Sequence, residues 1–579
     1  MQTSPKFALG VLFACAFLAA ALTYLPCARY AFVSCDDPQY VYDNERVMNG
    51  ISADNVKWAI TSCGYAYNWH PLAWISLQTD VSITKALRGM VDKNALSHVM
   101  HAHNIALHAA NTALLFLLLV LLLNSLPNPL PPSTKHQPPS TNPALHVSLL
   151  LALLWGIHPL RTEVVCWVSE RKELTSVFFM LLTFILYILP RRSPSTSYLN
   201  PHFSFFTYHF SLLTFLLALS AKPVAVTLPA VLFAWDWIMR EKPFGRTFLR
   251  ILPFGLLSAA TCVLTMAAQV EAKDVGNQFA VLDKVIMAVT APIIYLRQTL
   301  LPVNLSVFYA QFSTTPWIEL ALGVLLLAAM GTVVVLWLIR RDRRLALPCF
   351  GIAWAYVSLL PMLGIVKVGD QPHSDRYTYW AGCALVGIVL LATRRIVAGY
   401  ERNATIALAA VLAASFFATR ARLPVWRNSL ALYIDSAPKS WAMQPVRALA
   451  RELIALGDEG TAQAERLVRE ALTHTDYCDI HAELAILVAM RVEKSQFRIS
   501  DGPDPAFYEA RLEAERALSG NPDLWRAHAA LGIVEMKEGN WAEAIPHLER
   551  ALAAGEAVDN INSFIATCRE HLNSAKKGK

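Results

Sequence analysis

Long apolar runs separated by short polar or basic breaks occupy residues 1–420. A helix that crosses the hydrocarbon core of a bilayer needs about 20 mainly apolar residues. Runs at or approaching that length lie near 7–25, 102–123, 145–157, 173–189, 204–219, 223–238 and 248–268. Four more lie near 317–339, 346–365, 379–393 and 404–419, and the run at 283–301 is ambiguous. Beyond residue 420 the pattern changes to amphipathic helices rich in Glu, Arg and Ala, with no run long enough to span. The pattern predicts an all-α chain: about eleven transmembrane helices over 1–420, then a helical repeat domain over 421–579.

The basic residues set the register of the crossings. Lys and Arg near the ends of spans sort to the cytoplasmic side. Arg191 with Arg192, then Arg240, Lys242, Arg246 and Arg250, then "RRDRR" at 340–344, then Arg394 with Arg395 fall on one side only if 283–301 is interfacial or re-entrant. The N-terminus is then inside and the C-terminus outside. On this reading "LPNPLPPSTKHQPPSTNP", 126–143, is a cytoplasmic, extended linker. The apolar run from Phe7 to Leu25 is longer than a signal-peptide core and is followed by "YLPC", without the small residues of a cleavage site, so it reads as a retained first helix. Composition agrees: 55% of the 579 residues are hydrophobic and 16% charged, too apolar for an ordinary soluble protein. The net charge of +7 is accounted for by the cytoplasmic clusters and gives no sign of nucleic-acid binding.

This topology collects the unusual polar residues on the outer face. The first outer loop, 26–101, carries "CDDPQY" and "NWHPLAWISLQTD"; the second, 158–172, is "HPLRTEVVCWVSERK"; "SAKPVAVTLP" (220–229), "VFYAQF" (307–312) and "GDQPHSDRYTYW" (369–380) follow. Each has an ordinary structural reading. "SCDD" before Pro is good turn chemistry, a His before Pro sits on extended backbone, Arg and Lys at helix ends snorkel to headgroups, and Trp and Tyr fit an interface belt. Their coincidence on one side argues for a site. Ten cysteines show neither CxxC nor metal-ligand spacing, so no disulfide framework is indicated, although Cys27, Cys35, Cys63 and Cys166 fall on segments assigned to the same face.

"CDDPQYVYDN", "NWHPLAWISLQTD", "HPLRTEVVCWVSERKELTSVFFMLL", "AKPVAVTLPAVLFAWDW" and "DRYTYW", in that order and before repeat-like helices, resemble bacterial relatives of the TMTC protein O-mannosyltransferases, within the GT-C superfamily of membrane glycosyltransferases. The resemblance covers residues 1 to about 570. It departs at Arg161, where a His is usual, at "SLQTD" in place of "SHMLD", and in the shortness of the repeat domain. It implies inverting transfer of a sugar, mannose being one candidate, from a polyprenyl phosphate to a protein hydroxyl on the periplasmic or lumenal face of a membrane such as the bacterial inner membrane.

The resemblance implies that Asp36 and Asp37 are the acidic pair of the first loop, one of them the general base, and that Glu163, Arg171 and Arg376 belong to the site. A carboxylate beside the acceptor hydroxyl supplies the proton acceptor such a weak nucleophile needs. Two adjacent carboxylates repel, so one should hold its proton more tightly. The departing phosphate calls for fixed cations, for which Arg171, Arg376 and Lys222 are the candidates, Lys222 being equally a snorkelling residue. His70 and Tyr377 are weaker candidates for lining the sugar site. A divalent cation, if used, would take Asp36, Asp37 and Glu163, but no spacing demands one.

In the C-terminal part "NPDLWRAHAALGIVEMKEGNWAEAIPHLERALAAGE", 521–556, places Leu531, Gly532, Ala544, Leu548 and Ala551 at the small and apolar positions of a tetratricopeptide unit. Weaker copies lie around 445–473 and 481–518. Such a stack is expected to hold an acceptor protein or partner, the alternative being that it caps the first domain or dimerises. The alternatives are a transferase acting on a lipid or polysaccharide, and a non-catalytic membrane scaffold.

Overall fold

The structure, a computed structural model, describes residues 5–124, 143–189, 201–240, 242–268, 281–309, 316–363, 371, 373–385, 401–491, 505–553 and 559–577. It is helical throughout, with no strand among the described residues. The chain forms two compact units, Met1–Val307 with Gln311–Asn428, and Ser429–Lys579 with Phe308–Ala310.

The first unit begins with α1 (Pro5–Tyr24), then a layer of short helices, α2 (Glu45–Met48), α3 (Ala53–Thr61) and the longer α4 (Pro71–Arg88). Expectation and structure differ at α4, because the motif read as loop is helical from Pro71 onward. Pro71 sits in the first turn, where a missing N–H costs nothing, and Ala73, Trp74, Leu77, Val81 and Thr84 bury one face at helical spacing. The helix stops at Gly89, whose φ of 75° is the left-handed conformation that glycine adopts without strain. Next come α5 (Lys93–Asn124), α6 (Pro143–Gly156), α7 (Thr162–Cys166), α8 (Arg171–Ile188), α9 (Pro201–Ala221), α10 (Leu228–Ala234) and α11 (Phe244–Ala268). The unit is completed by α12 (Val281–Leu300), α13 (Trp317–Arg340), α14 (Arg343–Leu359) and α15 (Glu401–Arg422).

Among the described residues seven helical segments are long and apolar enough to cross a membrane: Lys6–Arg29, Lys93–Asn124, Ser204–Ala221, Phe244–Ala268, Trp317–Arg340, Arg343–Met362 and Ile406–Trp426. An eighth arises if α6 and the segment Pro159–Cys166, which meet at a 57° bend, form one broken span. The bend has a local cause: Pro159 lacks a donor and drives His158 to extended backbone, φ −74°, ψ 140°. This is a membrane-embedded helical protein. The expected span at 223–238 is a shorter apolar helix, Pro223–Met239, and α8 opens on three consecutive charges, Arg171, Lys172 and Glu173. The expected span at 379–393 is helical over 378–385 and otherwise lies outside the described residues, as do Arg191, Arg192, Arg394, Arg395 and nearly all of the 126–143 linker. The 283–301 segment is helix α12, which carries Asp283, Lys284 and Arg297 and is not among the long apolar helices.

One core cluster runs through α5, α6, α8, α9, α14 and the segment that follows α10, including Phe116, Trp155, Phe184, Trp235 and Trp354. Gly156 permits a close approach of α6 to α5, since a Cβ there would meet Thr112 Oγ1 at 2.6 Å.

The second unit is a succession of helices: α16 (Ser429–Ser440), α17 (Met443–Ile454), α18 (Asp458–His474), α19 (Cys478–Arg491), α20 (Pro505–Gly520), α21 (Trp525–Lys537), α22 (Trp541–Ala553) and α23 (Asp559–Lys577). Neighbours in sequence pack on one another around small residues, with Ala482, Ala514, Ala517 and Ala527 in one cluster and Ala529, Ala544, Leu548 and Ile565 in the next. At Gly532 a Cβ would lie 2.6 Å from Leu548 Cγ, so α21 and α22 approach more closely than any side chain allows.

Candidate active site

Asp36 and Asp37, adjacent in sequence, have opposite surroundings. Asp37 is fully buried: Oδ1 accepts from the Ser169 amide at 2.9 Å and the Ser169 hydroxyl at 2.5 Å, and Oδ2 accepts from the Val33 amide at 3.0 Å. Asp36 keeps 40% of its side chain exposed and pairs with Lys172 at 3.3 Å. Burial pushes the Asp37 carboxyl up to about 6, against the pull of its three donors. Repulsion from Asp36, the cause expected from adjacency, is a minor contribution.

Asp36 stands at the end of a chain of buried charges. Lys172 lies 3.7 Å from Glu170 and over the Tyr40 ring, 4.2 Å from its centroid. Glu170 pairs with Lys222 at 2.9 Å, and Lys222 also reaches Glu173 at 2.9 Å. On the other side Glu170 Oε1 is 3.7 Å from Arg376 Nε, and Arg376 Nη1 is 2.6 Å from Glu163 Oε1. Glu163 is held further by the Ser374 hydroxyl and the Arg376 amide, each donating at 3.0 Å. Arg376 stacks against Trp167 and Tyr377, at 5.4 and 5.0 Å from their centroids. Glu170 thus touches all three cations. Burial alone would raise its carboxyl, but Lys222, Lys172 and Arg376 outweigh burial and bring it down to about 2.

His70 caps this cluster from the start of α4. It is 3% exposed, its Nδ1 has no hydrogen-bond partner among the described residues, and burial followed by the charges of Lys172 and Lys222 lowers its imidazole to about 3. It therefore faces the two lysines as a neutral ring.

Of the sequence candidates, Asp36, Glu163, Lys222, Arg376, His70 and Tyr377 are brought together, and Asp37 lies just beneath them. Arg171 is not. Its guanidinium turns between α4 and α5, paired with Asp80 at 2.8 Å, donating to Asn104 Oδ1 at 2.5 Å, to Ser76 at 2.9 Å and to the Met100 carbonyl at 2.8 Å, beside His103. There it holds Asp80, whose burial opposes ionisation, below the usual carboxylate range with help from His103. Successive residues on a helix point about 100° apart, so when Arg171 faces α5 its neighbour Lys172 faces Asp36. Lys172, Glu170 and Glu173 are the cluster members that the sequence reading missed; the run "SERKE" was their only signal.

Arg161 joins the segment 158–172 to "DRYTY": Nη1 donates to the Thr378 carbonyl and Nη2 to its hydroxyl, both at 2.8 Å. Asp36, Asp37 and Glu163 do not meet at one point, and among the described residues no group of three or more His, Cys, Asp and Glu is placed to hold a metal ion. A shallow apolar hollow along α3, lined by Ile51, Val56 and Ile60, contains no member of the charged cluster.

No protein-family model and no curated protein matches the chain.

Proposed function

We propose that the first unit transfers a sugar from a polyprenyl-phosphate donor to a protein hydroxyl outside the cytoplasm, with Asp36 as the general base. The observation that carries this reading is the contrast at residues 36 and 37. One carboxylate is buried and held by three donors, the other is partly open and held by a single lysine. Only the open one presents its lone pairs where an acceptor hydroxyl can reach them, and a base so placed contributes about 10²–10⁴-fold.

The donor phosphate would meet Lys172, Lys222 and Arg376, the cations gathered on Glu170. As the glycosidic bond breaks, negative charge grows on the phosphate, and cations fixed in a dry site stabilise that charge more than water does. Glu170 is a positioning residue that holds the three cations in range; the incoming phosphate competes for them. His70, neutral and with an unpartnered nitrogen, is suited to hydrogen-bond a sugar hydroxyl, and Tyr377 and Trp167 offer flat faces beside Arg376. The Arg171–Asp80 pair braces α8, from which Lys172 projects.

The membrane organisation proposed with this function has about eleven crossings, an inside N-terminus and an outside C-terminal unit of tetratricopeptide type that docks the acceptor. Support comes from the basic clusters on one side of the register and from the close approach at Gly532. A second reading, a non-catalytic scaffold, is favoured by one observation: every cation in the cluster already has a carboxylate partner.

Replacement of Asp36 by Asn separates the two. Transfer should fall by about 10²–10⁴-fold, read as loss of glycan mass on membrane proteins of producing cells, while the level and melting temperature of the purified variant stay unchanged. Full glycosylation by a stable Asp36→Asn protein removes the catalytic reading and leaves the scaffold.

A further inference from the structure

Cys27 and Cys166 are 139 residues apart in sequence, yet their sulfurs are in contact at 2.6 Å, and both side chains are buried. Cys27 lies in the 3-10 turn Leu25–Arg29 that follows α1; Cys166 is the last residue of α7, three residues after Glu163. The backbone around them is pinned independently of the sulfurs. Tyr24 donates its hydroxyl to the His158 carbonyl at 3.2 Å, the Ala31 amide donates to Arg427 at 3.0 Å, and Trp167 packs on Trp426. The two thiols are therefore held together by the fold itself. No metal site competes for them among the described residues. Both segments lead into the polar loops placed on the outer side, the compartment where disulfides persist.

We propose that Cys27 and Cys166 form a disulfide in the mature protein, made by exchange with a disulfide-bearing oxidoreductase of the outer compartment. One cysteine thiolate attacks the carrier's disulfide, a mixed disulfide forms and one carrier thiolate leaves. The second cysteine thiolate then attacks the protein sulfur of that mixed disulfide and releases the other carrier thiolate. Two electrons and, counting the protons shed by the thiols, two hydrogens pass from protein to carrier. The cross-link fastens the entry to the acid-bearing first loop to the segment carrying Glu163, so that Asp36 and the Glu163–Arg376 pair share one rigid frame. The inference does not need the transferase reading, only the outward placement of these two segments.

The test uses the full-length wild-type protein, purified without reductant, denatured in detergent and labelled with a maleimide, then mapped by peptide mass spectrometry. The expected result is a linked peptide pair containing Cys27 and Cys166, two hydrogens lighter than the sum of the free peptides, with both residues unlabelled until a reductant is added. In Cys166→Ser the released Cys27 should take label without reduction. Cys27 and Cys166 both labelled in unreduced wild-type protein overturn the proposal. Loss of transfer in the Asp36→Asn variant bears on neither result, so the two proposals fail separately.

Discussion

Both units of this protein are laced with ion pairs, but they use charge in opposite ways. In the membrane unit most of the charges are buried: Glu170 and Glu163 in the cluster, and Arg171 and Asp80 in the separate pair between α4 and α5, have side chains exposed by 2% or less. In the C-terminal unit several pairs lie near water: Arg469, with side chain 40% exposed, bridges Glu465 and Glu509, and Arg516, 55% exposed, pairs with Glu513, while Arg526 and Glu483, 5% and 7% exposed, form a buried pair. Removing ions from water costs several kcal/mol each, so a buried pair adds little to stability when whole and costs much when one partner is lost. A surface pair is worth about 0–1 kcal/mol. The C-terminal unit therefore stands on its small-residue packing, whereas the membrane unit carries a buried charge cluster at a cost in stability.

The sharpest way to test that contrast is Arg171→Met. It leaves Asp80 buried with only His103, and should lower stability by about 3–5 kcal/mol, measured as a fall in melting temperature in detergent. A shift no larger than that of a surface pair would show that water reaches this part of the molecule. Gly532→Ala comes next, because its new methyl must displace Leu548. A loss of about 1–3 kcal/mol from overpacking is expected, read by chemical denaturation followed through the helices of the second unit.

Asp37 gives a pH signature. Burial holds its folded-state carboxyl at about 6, above the 3.8 of a solvated aspartate, so the native protein binds the proton more tightly than the unfolded chain does. The stabilisation is full below about pH 4 and is lost as pH rises toward 6. Relative to Asp37→Asn, the wild-type melting temperature should decline across that window; parallel curves would mean the three donors at Asp37 keep it ionised throughout. Smallest of all is Arg469→Ala, which should change the stability of the second unit by no more than about 1 kcal/mol. A larger effect would place that network in the interior class.

Hydrophobic periodicity was enough to read most of the helices, since long apolar runs have one physical meaning in either lipid or a protein core. It did not separate neighbouring residues. Asp36 from Asp37, and Arg171 from Lys172, differ only in direction, and direction is decided by what packs against each turn: Ser169 and Val33 on one side of the acidic pair, Asp80 and Asn104 on one side of the basic pair. Helix α4 was legible and passed over. Pro71 followed by buried residues at 73, 74, 77, 81 and 84 is a helical stripe, hidden by the His-Pro dipeptide that also reads as extended backbone. Glu170 carried no signal beyond its charge, because its role depends on Lys222 and Arg376 arriving from segments 52 and 206 residues away in sequence.

The length of α5 has a consequence for life in a real bilayer. Thirty-two residues make a rod of about 48 Å, against a hydrocarbon slab of about 30 Å. Its apolar Leu-rich end can fill the slab while Ser97, His101 and Asn104, packed inside the protein, stand above it. When lipids thicken or thin, the water boundary slides along this polar stem, and the charges anchored on Asn104 are spared a passage through oil.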